Sequence, residues 1–171
     1  MANVLSWICG CSAITGDAKK VDAFEYGYFY DDAFLFPPVS SRQSVHFTFT
    51  SMASQELRLY VLTSTMDDRS AMKSTSGDIE LTILDDKAIT IASARAPMRE
   101  WVEAIPRRPR KGEEPLPYMA WLPPREQNAP LVATKGGTTY KLIISVPPAE
   151  DSIVVVSPVL FGSPYYFRIL P

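Results

Sequence analysis

The chain has 171 residues, of which 46% are hydrophobic and 21% charged, and its formal net charge is −2. These values are typical of a globular domain, so they argue against a disordered chain and against the basic domain that nucleic-acid binding usually requires. No apolar run reaches the roughly 18 residues of a membrane span. No cysteine follows residue 11, which excludes a disulfide framework and a cysteine-based zinc site from the body of the chain. We therefore expect no metal and no cofactor.

Two cysteines, Cys9 and Cys11, lie close to the start of the chain. Cysteines two residues apart are poorly placed for a disulfide, and a zinc site needs about four ligands. A redox pair normally has two residues between its cysteines, whereas here there is a single glycine. A processing site and an N-terminus without special function remain as the two main interpretations.

The stretch ICGCS at residues 8–12 resembles the bacterial lipobox, in which a small residue precedes the cysteine that is modified. The resemblance implies that Cys11 is acylated, that Ser12 favours sorting to the outer membrane and that the polar residues 13–20 form a tether. The apolar segment before it is short and contains no Lys or Arg, so a complete secretory signal would begin upstream of Met1.

Most of the remaining chain alternates apolar and polar residues with a period of two, which predicts β-strands. The segments with the clearest alternation are 44–50, 56–64, 78–84, 87–93 and 139–146. The residues expected to face the core are Val45, Phe47, Phe49, Leu57, Leu59, Val61, Ile79, Leu81, Ile83, Ile89, Ile91, Tyr140, Leu142, Ile144 and Val146. Residues 152–161 are apolar on both faces, which is typical of a strand covered on both sides.

Turn signals separate these strands, among them residues 85–87 and 135–137, and the second is expected to be a hairpin turn. About seven to nine short strands with this spacing predict an all-β fold, an antiparallel two-sheet β-sandwich, with a β-barrel as the alternative. We assign residues 1–23 to the signal remnant and tether, and residues 24–171 to a single domain of this kind.

One short helical segment is expected at residues 96–105. There Met98, Val102 and Ile105 recur at positions i, i+4 and i+7, the spacing of one helix face. The segment would end at Pro106, because proline does not continue a helix.

The Pro-rich segment at residues 96–130 is expected to form a long loop, and loops of this length are usually functional or disordered. It contains a basic run, formed by Arg107, Arg108, Arg110 and Lys111. We interpret this run as a contact for a protein partner, with a solvated loop as the alternative. Nucleic acid is not expected as a ligand, because no aromatic residues are interleaved in the run.

Three tyrosines, Tyr26, Tyr28 and Tyr30, are spaced to share one face of a strand. If exposed, they would anchor a protein partner or stack on sugar rings, because a tyrosine ring offers a large contact area at a low entropy cost. The alternative is that they cover a sheet edge or the tether.

The remaining candidates for chemistry are the single histidine and three aspartate pairs, Asp31-Asp32, Asp67-Asp68 and Asp85-Asp86. Calcium needs about six to eight oxygens at one point, and a glycosidase needs two carboxylates about 5–9.5 Å apart, so separate loops would have to converge. Turn formation is therefore the favoured role of the aspartates. His46 is expected at the surface, and no Gly-x-Ser-x-Gly elbow accompanies it.

The lipobox-like start, the tether and the predicted sandwich are similar to those of small proteobacterial lipoproteins, some of which are immunity proteins against type VI secretion effectors. The segments that carry this pattern are residues 24–36, 44–62 and 138–161. The resemblance implies a non-catalytic periplasmic protein that is anchored by lipid to the outer membrane. It also implies a protein partner, such as a secreted toxin, whose active site is covered. A cytoplasmic location is the alternative.

Three other functions remain open from the sequence. The first is a carbohydrate-binding or envelope-structural module that uses the tyrosines. The second is a hydrolase whose carboxylates come from separate loops, and the third is a calcium-dependent sandwich that binds membranes.

Overall fold

A computed structural model describes residues 14–21, 33–63, 77–98, 102–104, 119–121, 130–149 and 153–162. Within these ranges the chain is all β, and its strands form two antiparallel sheets with no helix and no closed barrel. The predicted two-sheet β-sandwich is confirmed, and the barrel alternative is wrong. No helix in the described part of the chain is long and apolar enough to cross a membrane.

The strands are short at the start of the chain and longer in its middle. In chain order they are β1 (Ile14–Gly16), β2 (Lys19–Val21), β3 (Ala33–Leu35), β4 (Val39–Ser40), β5 (Gln43–Ser51), β6 (Gln55–Thr63), β7 (Asp78–Leu84), β8 (Thr90–Pro97), β9 (Val102–Ala104), β10 (Met119–Trp121), β11 (Leu131–Thr134), β12 (Thr139–Val146) and β13 (Val155–Phe161).

Sheet A has the order β1-β5-β12-β7-β8, and sheet B has the order β2-β3-β13-β6-β10-β9. Two short strands complete sheet B. Strand β4 pairs with β13 on the same side as β3, and β11 pairs with β6 on the same side as β10. The described chain therefore holds 13 strands, more than the seven to nine that the sequence predicted.

The core lies between the two sheets and follows the period-two pattern of the long strands. Every residue expected to face the core in β6, β7 and β12 is buried, and so are Phe47 and Phe49 of β5. The ring of Phe49 contacts rings from both sheets. Its centroid is 5.3 Å from that of Tyr140 in β12 of sheet A and 5.8 Å from that of Phe36, which follows β3 of sheet B. Burial of one such large side chain stabilises the fold by roughly 1.5–3 kcal/mol, so these alternating strands determine which face of each sheet points inward.

Sheet B is also buried on the face turned away from this core. Tyr60 and Phe161 point to that side, are 3% and 1% exposed, and contact each other edge-to-face with centroids 5.2 Å apart. Leu62 and Val159 lie in the same layer and are buried as well. The prediction that residues 152–161 are covered on both sides is therefore confirmed for the second half of β13.

The helix predicted at residues 96–105 is wrong. Strand β8 continues to Pro97, and residues 102–104 form β9. Residues four apart share one face in a strand as well as in a helix, so the spacing of Met98 and Val102 fits both structures. The predicted long loop also contains regular structure, because β9 and β10 pair with each other and β10 pairs with β6.

The turn between β7 and β8 is organised by one aspartate. Oδ1 of Asp85 accepts hydrogen bonds from the backbone N–H of Lys87 at 2.9 Å and of Ile89 at 2.8 Å. The turn-forming role predicted for this aspartate is confirmed. The turn extends through Ile89, which is 57% exposed, so its predicted place in the core is wrong.

The turn at residues 135–137 is tight, with Gly137 at φ 77°. It is not a hairpin, because β11 pairs with β6 of sheet B whereas β12 pairs with β5 and β7 of sheet A. The turn therefore joins the two sheets at one end of the sandwich, which we call the upper end. The turn at Ser41 and Arg42 joins β4 to β5 at the opposite, lower end.

Candidate functional site

Most of the residues that the sequence singled out for function, apart from His46, Asp85 and Asp86, lie outside the described ranges. They are Cys11, Tyr26, Tyr28, Tyr30, Arg107, Arg108, Arg110 and Lys111, together with the acids Asp31, Asp32, Asp67 and Asp68. The candidate site is therefore built from the surfaces that the described strands present.

One such surface is the outer side of sheet A, which we call the open face. Its side chains are mostly short and polar, and they are exposed or half-exposed: Ser44, His46, Thr48, Thr50, Thr82, Ser93, Thr139, Lys141 and Ser145. Hydroxyl groups pair across neighbouring strands, as between Thr50 and Thr139 at 2.9 Å and between Ser145 and Ser44 at 2.9 Å. These hydrogen bonds hold the paired side chains in place on the surface of the sheet.

The middle of the open face combines one apolar side chain with polar ones. Ile143 is half-buried and lies in register between His46 of β5 and Thr82 of β7. His46 is exposed, as predicted, and occupies the middle of its strand. The face thus offers hydrogen-bond donors and acceptors around a small apolar centre.

A charged cluster lies where the open face meets β8. Nε of Arg95 is 2.6 Å from Oδ2 of Asp78 and 3.2 Å from Oε1 of Glu80. The hydrogen bond to Asp78 and the negative charges of both acids raise the pKa of Arg95 above its ordinary value, so it stays protonated. The cluster holds the guanidinium over β7, away from the outer edge of β8.

The upper end of the sandwich is joined by a buried polar network. The hydroxyls of Ser51 and Thr134 are 2.9 Å apart, and Gln55 donates to the Ser51 hydroxyl at 2.9 Å. The Thr134 hydroxyl also donates to the carbonyl of Gln55 at 3.1 Å. The network connects β5 of sheet A to β6 and β11 of sheet B, so it fixes the two sheets to each other at the upper end.

Strand β1 ends at Gly16, so among the described strands its pairing with β5 stops at Phe49. Gly16 has φ 121°, a backbone conformation that residues with a side chain rarely adopt. A Cβ there would be 2.5 Å from the carbonyl oxygen of Thr48. At the next position Asp17 N–H donates to that oxygen at 2.9 Å, and the Asp17 carboxylate accepts from Thr48 N–H at 2.6 Å. The chain then crosses to β2 in sheet B.

Below Asp17 no described strand pairs with that side of β5, and we call residues Gln43–Phe47 the β5 edge. In an antiparallel sheet the backbone groups of alternate residues point to opposite sides of the strand. The backbone N–H of Thr48 points toward Asp17, so the backbone groups of Ser44 and His46 point to the same side of β5. Their N–H and C=O groups therefore face outward from the sheet.

The opposite edge of sheet A is β8, and here the exposed backbone is interrupted. Met98 N–H bonds to the carbonyl of Gly77 on the β7 side, so alternation directs Ser93, Arg95 and Pro97 outward. Pro97 has no N–H to offer. A register shift opposite Ile83 leaves an additional residue in β8, which is a bulge. Proline and bulges are the features that protect edge strands from pairing.

The described residues contain no group of three or more His, Cys, Asp or Glu side chains placed to hold a metal ion. What the described residues offer is a polar sheet surface with one strand edge that no proline or bulge interrupts. The sequence showed the alternation that creates the open face, whereas the β5 edge depends on where β1 departs, which leaves no periodic signal. In comparisons with protein-family models, curated proteins and solved structures, nothing matches this chain.

Proposed function

We propose that the protein is a non-catalytic module that binds another protein through the open face of sheet A. The observation that carries this proposal is the contrast between the sheets. Sheet B is buried on both sides around Tyr60 and Phe161, whereas the outer side of sheet A presents exposed residues on four of its strands. Cross-strand hydroxyl pairs hold some of its side chains in place.

The side chains of the open face suit recognition by another folded surface. Serine and threonine lose little side-chain entropy when they are immobilised, so less binding energy is lost in ordering them than with longer side chains. The half-buried Ile143 provides an apolar centre with polar neighbours, the general arrangement of a protein interface.

A protein partner is favoured over a carbohydrate on this face. Sugar rings are usually stacked on exposed aromatic side chains, whereas the rings of Phe47, Phe49 and Tyr140 in the strands of sheet A are all buried. The stretch around Cys11 supports the rest of the proposal, a lipid-anchored periplasmic protein that inhibits a secreted toxin by covering its active site.

Site-specific photo-crosslinking in the native host tests the proposed surface. A crosslinking amino acid is placed at Lys141 or at Ser93, both of which are exposed on the open face. We expect irradiation to attach the same partner protein at both positions, because they lie on one surface. Mass spectrometry of the adduct identifies the partner and distinguishes it from a second copy of this chain.

A matched control uses Lys135, which is also an exposed lysine but lies in the turn at the upper end. We expect no adduct from that position. Absence of any partner adduct from both open-face positions would contradict the proposal, and so would equal labelling from Lys135. Binding of the protein to a glycan array would favour the carbohydrate alternative.

A further inference from the structure

The β5 edge is the part of sheet A that is best suited to pair with another strand. Its outward groups belong to Ser44 and His46, and the pairing of β5 with β12 continues without a register shift from Gln43 to Thr50. No proline or bulge interrupts this stretch, in contrast to β8. No described strand pairs with this stretch, and an edge of this kind without such protection is a template for strand pairing.

We propose that two copies of this chain form a symmetric dimer by antiparallel pairing of their β5 edges. In the pairing that we infer, Ser44 of each copy lies opposite His46 of the other, with Val45 on the two-fold axis. Every outward N–H of one edge then meets an outward C=O of the other. The two sheets A become one continuous sheet.

The charges at the two ends of the β5 edge select a second copy as the occupant. Asp17 is exposed and bonded to Thr48 at the upper limit of the edge, and Arg42 is exposed in the turn just below its lower limit. In the inferred register residue 42 of one copy lies opposite residue 48 of the other. Each Arg42 is therefore placed beside Asp17 of the other copy, and the two-fold axis creates this contact twice.

Other registers fit the edge less well. A shift that places His46 opposite His46 of the second copy would bring Ser44 opposite Thr48, whose N–H is already bonded to Asp17. The opposite shift pairs Ser44 with itself and leaves His46 facing the turn at Arg42. Only the inferred register uses both outward residues of each copy and also satisfies the charges.

The dimer is expected to be weak, because a short strand edge buries less than the roughly 1,200–2,000 Å² of a standard stable interface. Sedimentation of the full chain from micromolar to millimolar concentration tests it. We expect the wild type to change reversibly from monomer to dimer over this range, and to dissociate more readily at high salt because the contacts between Asp17 and Arg42 are screened.

Two serine-to-proline variants compare the two edges of sheet A. Ser44→Pro removes an outward N–H from the β5 edge, and Ser93→Pro removes one from β8, so neither removes a backbone hydrogen bond inside the sheet, although Ser44→Pro also loses the hydroxyl contact with Ser145. We expect Ser44→Pro to raise the dimer dissociation constant at least about tenfold and Ser93→Pro to leave it unchanged. A monomeric wild type at all concentrations would overturn the proposal, as would the reverse order of the variants.

A charge pair keeps the test decisive if Ser44→Pro fails to fold. Arg42 has φ 68°, a conformation that aspartate tolerates better than most residues, so Arg42→Asp reverses the charge with little strain. Lys87→Asp makes the same change in the turn at the upper end. We expect only Arg42→Asp to weaken the dimer, again at least about tenfold, and equal effects of the two variants would refute the contact with Asp17.

Amide hydrogen exchange locates the pairing directly. As the concentration rises, exchange at Ser44 and His46 should slow, while exchange at Ser93 and Arg95 should stay constant. Protection that appears at β8 and not at β5 would overturn the inferred interface even if the protein dimerises.

Discussion

Gly16 and Asp17 act together to direct β1 out of sheet A. The positive φ of Gly16 turns the chain, and the absence of a side chain lets it approach the carbonyl of Thr48. The Asp17 carboxylate then takes the place of a backbone acceptor for Thr48 N–H. Two adjacent residues thus end β1 and bond to Thr48, and no described strand pairs with this side of β5 beyond them.

The role of Gly16 predicts a loss of stability on substitution by alanine. Gly16→Ala adds a Cβ that would be 2.5 Å from the Thr48 oxygen, in addition to the strain of φ 121°. We expect it to lower the free energy of unfolding by about 2–4 kcal/mol, measured by urea denaturation.

Gly137→Ala is the matched control for Gly16→Ala. Gly137 also has a positive φ, of 77°, but nothing lies within 4 Å of the position that its Cβ would occupy. Only conformational strain remains there, and we expect a loss of about 1–2 kcal/mol. If Gly137→Ala destabilised the protein as much as Gly16→Ala, the close approach to Thr48 would not be the cause.

At the scale of the elements, the long strands could be predicted and the short ones could not. Strands β5, β6, β7 and β12 show several alternations each, so their inward faces follow from the sequence. Strands of two or three residues, such as β2 and β4, contain too few positions to show a period. Their pairing depends on the neighbours that the fold supplies.

The wrong predictions have the same physical origin, since local pattern does not determine which neighbour a segment meets. The spacing of Met98 and Val102 fits a helix and a strand equally, whereas pairing with β7 extends a strand up to Pro97 and pairing with β10 begins another at Val102. Ile89 fits the alternation of β8, but it belongs to the turn that Asp85 organises, and β8 begins only after it. The turn at residues 135–137 has hairpin composition, yet its two flanking strands belong to different sheets.

The polar network at the upper end predicts how strongly the sheets are joined. Thr134 is 4% exposed, and its hydroxyl bonds to Ser51 and to the carbonyl of Gln55. Thr134→Val keeps the shape and removes both bonds, so we expect urea denaturation to show a loss of about 1–3 kcal/mol. Thr134→Ser keeps the hydroxyl and loses only a methyl group, with an expected cost of about 1 kcal/mol. Equal stability of the valine variant and the wild type would show that the network does not contribute.

For the molecule as a whole, the two sheets differ in how far the residues on their outer sides are buried. Sheet B has apolar residues buried on both sides around Tyr60 and Phe161, so it is the more heavily packed layer there. Sheet A has one buried side and one polar side, and its two edges differ in protection. We propose that the open face binds a different protein and the β5 edge a second copy, and the two contacts are compatible because the face is perpendicular to the edge.

The location of the whole molecule is tested at its cysteines, which lie outside the described residues. A single acyl chain gives only marginal membrane binding, at about 0.8 kcal/mol per buried CH₂, whereas several chains on one modified cysteine anchor a protein stably. We therefore expect the wild type, expressed from its native gene with the upstream region, to incorporate labelled fatty acid and to fractionate with the outer membrane. Cys11→Ser should abolish both. Cys9→Ser makes the same substitution two residues earlier and should change neither, and a wild type without label would contradict the lipid anchor.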